Sequence, residues 1–582
     1  MCGLPNQRIV TKCDAWQTVL SLSGSQLNSL DAGTVTFGFR HNGSTVRLLS
    51  IAVLSISSTW AQQTISVSNT ASGSNQIAPG SLVKIIWSAP SGIGPAPPVA
   101  KVQLQLRDQL FNALILSSSA GGEIIAVIPE DMPTGNADLT LQLNSTMLPP
   151  INVSIVPASI GIFTNSSFSG PAVAQNVSGL GTVERNALTT PALPGQYVTL
   201  WGTGLGGFRA PDISMSIGGR VISPSFAGPA QGLPGVDQIN FRVPYDSPWG
   251  CYIPVRVAAG DSVANVSTIA VSPTSGTCVH PLGLFDQEMK VLDQGGSILA
   301  GNLRFNAGVS SPTFSTGSYT RQESFTATFL TQNSFGIYAL SPSAQSQTES
   351  SCSLRTLLLG IGILVNVNTS SLEDVAGHSL SLADSSNHTS DVPSLATSGG
   401  FGGGTPTAQG IYSLTLESPP PAATESQLGA PFFTPGTWYI TASGGNTINA
   451  FQQAYSLPPE IRWTNRESLT SFGRDADVPI LWDPQGYAPT DRMLAFLFTG
   501  GDANEIFCSA PAQSGRIVLP ANLLQQIAPT ARLGASFQPT GSLELVLEPG
   551  ASTVFRVDLK GGGSAPNVIT YVFSDVLQTV VQ

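Results

Sequence analysis

One seven-residue turn occurs twice in this chain, each time at the same distance from a second signal. Pro129-Glu-Asp-Met-Pro-Thr-Gly135 and Pro244-Tyr-Asp-Ser-Pro-Trp-Gly250 share the pattern Pro-x-Asp-x-Pro-x-Gly. Each begins 50 residues after a Pro-Gly pair, Pro79-Gly80 in one case and Pro194-Gly195 in the other. Each Pro-Gly pair opens an alternating apolar run, Leu82-Val-Lys-Ile-Ile-Trp87 and Tyr197-Val-Thr-Leu-Trp201. Agreement in turn and spacing together marks an internal repeat, so this part of the chain must fold as two related units.

The residues between these signals read as strands. Val83 and Ile85 match Val198 and Leu200, with Lys84 and Thr199 between them, which gives one buried and one wetter face. Before the turn, Ile124, Ala126 and Ile128 match Ile239, Phe241 and Val243 and should point inward. The turn ends the strand because Pro cannot donate to a ladder and Gly tolerates positive φ. Beyond it, Leu139 and Leu141 fall one residue out of step with Ile253 and Val255. A one-residue slip would exchange faces, so a bulge or deletion is expected there.

Composition extends this reading to the whole chain. Only 10% of the 582 residues are charged, while Gly (60) and Pro (43) are frequent. Long amphipathic helices need charged and apolar residues on a 3.6-residue period, and that pattern is nearly absent. Short apolar runs punctuated by Gly, Pro, Asn and Ser predict an all-β chain of tandem β-sandwich domains. The net charge is −11 with no Lys/Arg cluster, which argues against nucleic acid as a partner.

A family resemblance rests on Pro194 to Leu205, Ile217-Gly-Gly219, Phe226-Ala-Gly-Pro229 and Gly235-Val-Asp-Gln-Ile-Asn-Phe-Arg-Val-Pro244. Together these resemble the Solibacter-type β-sandwich domain of secreted acidobacterial proteins, which is similar to immunoglobulin-like IPT/TIG domains. The likeness covers about residues 158–272, with a degenerate copy at 62–157 that lacks both the Gly-Thr-Gly and the Asp-Gln-Ile-Asn elements. It implies an extracellular module and carries no activity over.

The amino-terminal region supports export. Val46 to Ala61 has one basic residue, a short apolar core and small residues at its end, which is the pattern of a secretory signal. Residues 1–61 therefore read as an extension plus signal, with translation starting near Val46 and cleavage after Ala61. The competing reading is a buried strand. Export leaves Cys251, Cys278, Cys352 and Cys508, an even number that favours disulfides. Cys251 and Cys278 flank the last strands of one domain and are the preferred pair. Cys352 with Cys508 follows by elimination, and free thiols stay open. Leu357 to Val365, at nine residues, is too short to cross a bilayer and reads as a buried strand, so the mature chain has no span.

The second half reads as two β-rich regions, 284–455 and 456–582, with Pro520 to Ile527 the one short helix. Ser398 to Gly404 and Pro419 to Pro421 read as loop or linker.

Candidate sites are few. Gly202-Thr-Gly-Leu-Gly-Gly207 fits G-x-G-x-x-G, but Phe208-Arg-Ala-Pro-Asp212 cannot cleanly open the helix that a phosphate site needs. Gly202, Gly204, Gly206 and Gly207 are read instead as a corner between strands, absent from the sister copy, and a place for partner contact. His280, His378 and His388 lie in loop-like sequence without ligand spacing. Asp475, Asp477 and Asp483, or Asp502 with Glu505, offer oxygen ligands for Ca²⁺; no other cofactor is expected. Asn144, Asn165, Asn176 and Asn265 stand in Asn-x-Ser/Thr sequons, and Trp249, Trp438 and Trp463 could stack on sugars. The chain is expected to be a secreted or cell-surface, non-enzymatic protein that binds an extracellular protein or glycan, or acts as a structural spacer. The alternatives are a glycan-active hydrolase with a carboxylate pair hidden in 284–582, and a passive envelope component.

Overall fold

Strand pairing in the two copies has one register. In this computed structural model Leu82–Trp87 pairs with Glu123–Val127, placing Leu82 opposite Val127 and Ile85 opposite Ile124. Tyr197–Thr203 pairs with Asp237–Arg242, placing Tyr197 opposite Arg242 and Leu200 opposite Ile239. The offset between equivalents is constant at 115 residues, as from Leu82 to Tyr197 and from Val127 to Arg242. The inward-facing residues of both copies, Val83, Ile85, Ile124, Ala126, Ile128, Val198, Leu200, Ile239, Phe241 and Val243, are buried.

The structure describes most of residues 65–582, leaving out 88–99, 312–317, 342–350, 357–374, 398–406, 417–426, 500–503, 531–540 and shorter gaps at 120–121, 166–167, 180, 387–388 and 551. Upstream of 65 it describes four short strands, Ile9–Cys13, Trp16–Ser21, Thr36–His41 and Ser44–Val46, forming one antiparallel sheet. The signal segment Val46 to Ala61, Leu357 to Val365, Ser398 to Gly404, Pro419 to Pro421, His388 and Asp502 lie outside the described residues, apart from the strand residue Val46.

The slip after the turn is a bulge in the second copy. Gly250–Ala259 shifts register against Ser267–Val271 between Gly250 and Ile253. Beyond it the offset is 116, as from Ala137 to Ile253 and from Val153 to Ile269. The extra residue restores the faces, so that Ile253, Val255 and Val257 stay in the core. It also turns two successive side chains, Cys251 and Tyr252, into a different buried cluster.

Each copy is a two-sheet sandwich, and the chain is all-β in class. In the second copy Val198, Leu200, Ile239 and Phe241 of one sheet pack with Met215, Ile217, Val255 and Ile269 of the other. The remainder, from Ile298 on, is built on one large sheet. Its centre is the parallel pair Ile298–Ser310 and Ser564–Val581, flanked by Thr320–Gln332 and Gly541–Glu548. One core draws on both ends of it, from Phe305 and Phe325 through Trp438 and Trp463 to Leu543 and Phe573. The regions 284–455 and 456–582 thus share a sheet and a core.

Among the described residues, helices stand at Ala521–Leu524, within the expected segment, and also at Asp286–Asp293 and Ser334–Leu340, where the sequence reading places none. Both additional helices are too short for periodicity to show. Their ends are nevertheless chemically marked: Glu288 accepts from the Phe285 N–H at 2.8 Å, and Asn333 accepts from the Gly336 N–H at 3.0 Å. No helix among the described residues is long and apolar enough to cross a membrane.

Candidate functional site

The glycine corner is occupied from within the chain. Gly161–Ile162 pairs with the end of Tyr197–Thr203, which brings the chain entering the second copy, residues 157–161, against Gly202 to Gly206. A Cβ at Gly202 would overlap the Gly161 carbonyl oxygen, one at Gly204 that of Ser159, and one at Gly206 that of Pro157. Gly204 (φ +92°) and Gly206 (φ +58°) also use backbone conformations that favour glycine. Gly207 is exposed, with open space where a Cβ would stand. Three of the four glycines therefore serve close backbone approach between parts of this chain.

Polar groups complete the joint. Thr203 Oγ1 accepts from the Leu82 N–H of the first copy at 2.7 Å and donates to the Gly235 carbonyl at 2.6 Å. Asn69 Nδ2 donates to the Ser159 carbonyl at 2.7 Å, and Ser159 Oγ donates to the Gln76 carbonyl at 2.7 Å. Asp237, from the Asp-Gln-Ile-Asn element, accepts from the Leu205 N–H at 2.8 Å and so holds the corner's backbone. Burial pushes the Asp237 carboxyl up to about 6, opposed by the Leu205 and Gly204 N–H donors and by Arg209. Asn240 accepts from Thr199 at 2.9 Å and from Gln238 at 2.9 Å. Of the two elements missing from the first copy, the glycines admit the neighbouring backbone and Asp237 braces that corner from within the second copy.

A second joint links the second copy to the carboxy-terminal half of the chain. Cys251 is bonded to Cys278, and Tyr252 packs edge-to-face on Tyr338, at 5.1 Å between centroids. His280 Nδ1 accepts from the Leu282 N–H at 3.1 Å, so Nε2 carries the proton and donates to the Tyr252 oxygen at 3.0 Å. Burial lowers the His280 pKa to about 3 and raises that of Tyr252, which keeps both neutral. The Asp293 carboxylate accepts from Thr189 N–H and Oγ1 at 2.8 and 2.7 Å. Arg556 pairs with Glu288 at 2.5 Å beneath the Phe285 ring. A cavity of about 270 Å³ lies at this junction, lined by Leu188, Tyr252, Leu292, Asp293 and Phe335 among others. Its one carboxylate is committed to Thr189.

The other expected residues take structural places. Cys352 is bonded to Cys508, directly opposite on the neighbouring strand. Asp477 accepts from the Ala521 N–H at the start of a helix, and Asp483 accepts from the Gln485 N–H and lies 3.7 Å from Arg462. No three His, Cys, Asp or Glu side chains among the described residues come together as a metal site. Asn176 is buried and Asn265 bonds to Ile162 on both its N–H and C=O, whereas Asn144 and Asn165 are exposed. Trp438 and Trp463 are core residues; Trp249 is exposed. In 284–582 burial raises the carboxyls of Glu544 and Glu548. They lie four residues apart on one strand.

These sheets define two β-sandwiches in tandem, followed from Ile298 on by a β-rich body built on one large sheet. No family model matches the chain, and no curated protein does. Solved structures that are similar include domains 4–9 of the surface layer protein SbsC, at 8% identity over 95% of this chain and 88% of that one, with a TM-score of 0.18. Others are the four N-terminal Ig domains of Dscam1 isoform 9.44, at 9% identity over 74% and 81% with a TM-score of 0.13, and the FN1–FN3 domains of chicken CNTN1, at 7% over 70% and 96% with a TM-score of 0.15. Scores this low do not align the domains as a whole; the fold is established by the sheets themselves.

Proposed function

We propose that this is a secreted or cell-surface, non-enzymatic protein whose tandem sandwiches hold a binding surface at a fixed place. The observation that carries this reading is the joint between the copies. Thr203, Asn69 and Ser159 bond from one copy to the other around a corner that Gly202 to Gly206 and Asp237 shape within the second copy, which suits a scaffold or adhesion module. The Solibacter-type resemblance of 158–272, the signal-like segment and two disulfides support the same compartment. Fractionation with mass spectrometry of the mature amino terminus tests it. The expected result is chain in the medium or on the surface, beginning at Gln62, with no free thiol. Cytosolic chain with its cysteines reduced overturns the reading.

A further inference from the structure

The repeat supplies its own control for locating a partner surface. In the first copy the joint face comprises Ala78, Leu82 and Val127, with exposed Glu130 on the adjoining turn. The Leu82 N–H bonds to Thr203, Val127 and Leu82 come within 2.9 and 3.2 Å of where Gly235 would carry a Cβ, Ala78 sits beside Gly206, and Glu130 acts on Asp237. The register-equivalent residues of the second copy are Leu193, Tyr197, Arg242 and Tyr245. The following module does not take the equivalent place, because it docks on Leu188, Cys251, Tyr252 and Ala270. The equivalent face is consequently open, with Tyr197 49% and Tyr245 73% exposed, and Trp249 of the same turn 56% exposed.

This face is ordered although exposed. The Tyr245 ring lies over Gly195, where a Cβ would come within 2.7 Å of it, and Gly195 has φ +81°. Arg242 Nη2 donates to the Tyr245 hydroxyl at 2.6 Å, and Nε donates to the Gly195 carbonyl at 2.7 Å. The guanidinium carbon is 5.1 Å from the Tyr245 ring centre and 6.0 Å from that of Tyr197. The Tyr245 ring, held this way, has less freedom to lose on binding than an unrestrained side chain.

Given the extracellular chain proposed above, we infer that Tyr197, Arg242 and Tyr245 form the docking face of the second copy, and that its partner is a neutral polysaccharide. Flat, fixed aromatic faces beside hydroxyl and guanidinium donors match a pyranose ring, which offers C–H groups on its face and hydroxyls at its rim. Tyr197–Thr203 and Asp237–Arg242 are interior strands with neighbours on both sides, so no free edge invites a peptide strand. A net charge of −11 disfavours polyanions. The aliphatic pair Leu82 and Val127, which receives a sandwich corner in the first copy, is replaced here by larger polar-tipped side chains.

Affinity electrophoresis of the full mature chain in gels containing xylan, mixed-linkage β-glucan or dextran tests the face, with polygalacturonate and polyglutamate as anionic and peptide arms. The expected result is retardation by a neutral polysaccharide, weakened about tenfold in both Arg242→Gln and Tyr245→Ala. Val221→Ser, at an exposed apolar residue of another hairpin, should bind as the parent does. Tyr245→Phe keeps the ring and should retain most of the binding, which separates lost contact from lost folding. Retardation only by polygalacturonate or polyglutamate, or undiminished binding in both Arg242→Gln and Tyr245→Ala, overturns the assignment. An exported chain that binds none of the gels overturns this face and leaves the extracellular reading standing; a cytosolic chain overturns that reading itself.

Discussion

The Ser159 N–H donates to the Gly204 carbonyl at 2.9 Å, while the Ser159 carbonyl oxygen fills the place where Gly204 would carry a Cβ. Two backbones meet here with no side chain between them, and Asn69 clamps the same carbonyl from the first copy at 2.7 Å. Gly204→Ala adds both an overlap and a strained φ of +92°. It should lower the stability of the second copy by at least about 2 kcal/mol. The segment 157–161 should also become cleavable in limited proteolysis of the folded chain. Unchanged resistance would mean that the corner does not seat the joint.

Thr203 is fully buried and bridges the copies through one hydroxyl. Thr203→Val keeps the shape but leaves the Leu82 N–H and the Gly235 carbonyl without this partner. Each such group costs on the order of 1–3 kcal/mol when it stays buried. The expected outcome is a loss of about 2–4 kcal/mol, with faster hydrogen exchange at the Leu82 amide than at Ile85 in the same strand. Equal exchange at both sites would show that the hydroxyl is not what holds the copies together.

Much of this joint could be seen in the sequence, though not its purpose. Alternation at Val83, Ile85, Val198 and Leu200 reports burial directly, because a strand's faces repeat every second residue. The slip at Leu139 points to the bulge for the same reason. The role of Gly202 to Gly206 is hidden because a glycine that admits another backbone looks the same in sequence as one that makes a turn. Only the carbonyls of Pro157, Ser159 and Gly161 distinguish the two, and they come from a part of the chain with no motif of its own. The open face at Tyr197 and Arg242 is equally hidden, since the residues are cross-strand partners 45 positions apart. Of the three tryptophans considered for sugar contact, composition cannot separate exposed Trp249 from buried Trp438 and Trp463.

Two buried groups give opposite pH dependences that overlap. His280 is lowered from 6.5 to about 3, so the unfolded chain takes up a proton that the folded one refuses, and stability is lost as pH falls below about 6.5. Asp237 is raised from 3.8 to about 6, so the folded chain takes up the proton first, and stability is gained as pH falls through 6 toward 3.8. Full shifts of this size amount to about 5 and about 3 kcal/mol respectively, and they largely offset each other between about pH 4 and 6. Asp237→Asn should therefore steepen the loss of stability on acidification. His280→Asn, whose side-chain oxygen can still accept from Leu282, should leave the chain more stable at about pH 4.5 than at pH 7. Denaturant unfolding at both pH values reads each effect. A parallel response in both variants would contradict the assigned directions.

The two disulfides close loops of very different length, 27 residues for Cys251–Cys278 and 156 for Cys352–Cys508. In the chain-entropy account these lengths are worth about 3.5 and about 5 kcal/mol through restriction of the unfolded chain. Their placement separates them further. Cys251–Cys278 ties the bulged strand of the second copy to the segment leading into Asp286–Asp293, whereas Cys352–Cys508 staples two adjacent strands within the large sheet. Cys251→Ala with Cys278→Ala should loosen the junction around Tyr252 and His280 and lower the unfolding transition that contains it. Cys352→Ala with Cys508→Ala should lower the transition of the carboxy-terminal sheet and leave the second copy as it is. Calorimetry of the two double variants, with thiol titration of the parent chain in denaturant, distinguishes these outcomes. Identical shifts of a single transition would show instead that the second copy and the sheet unfold as one cooperative unit.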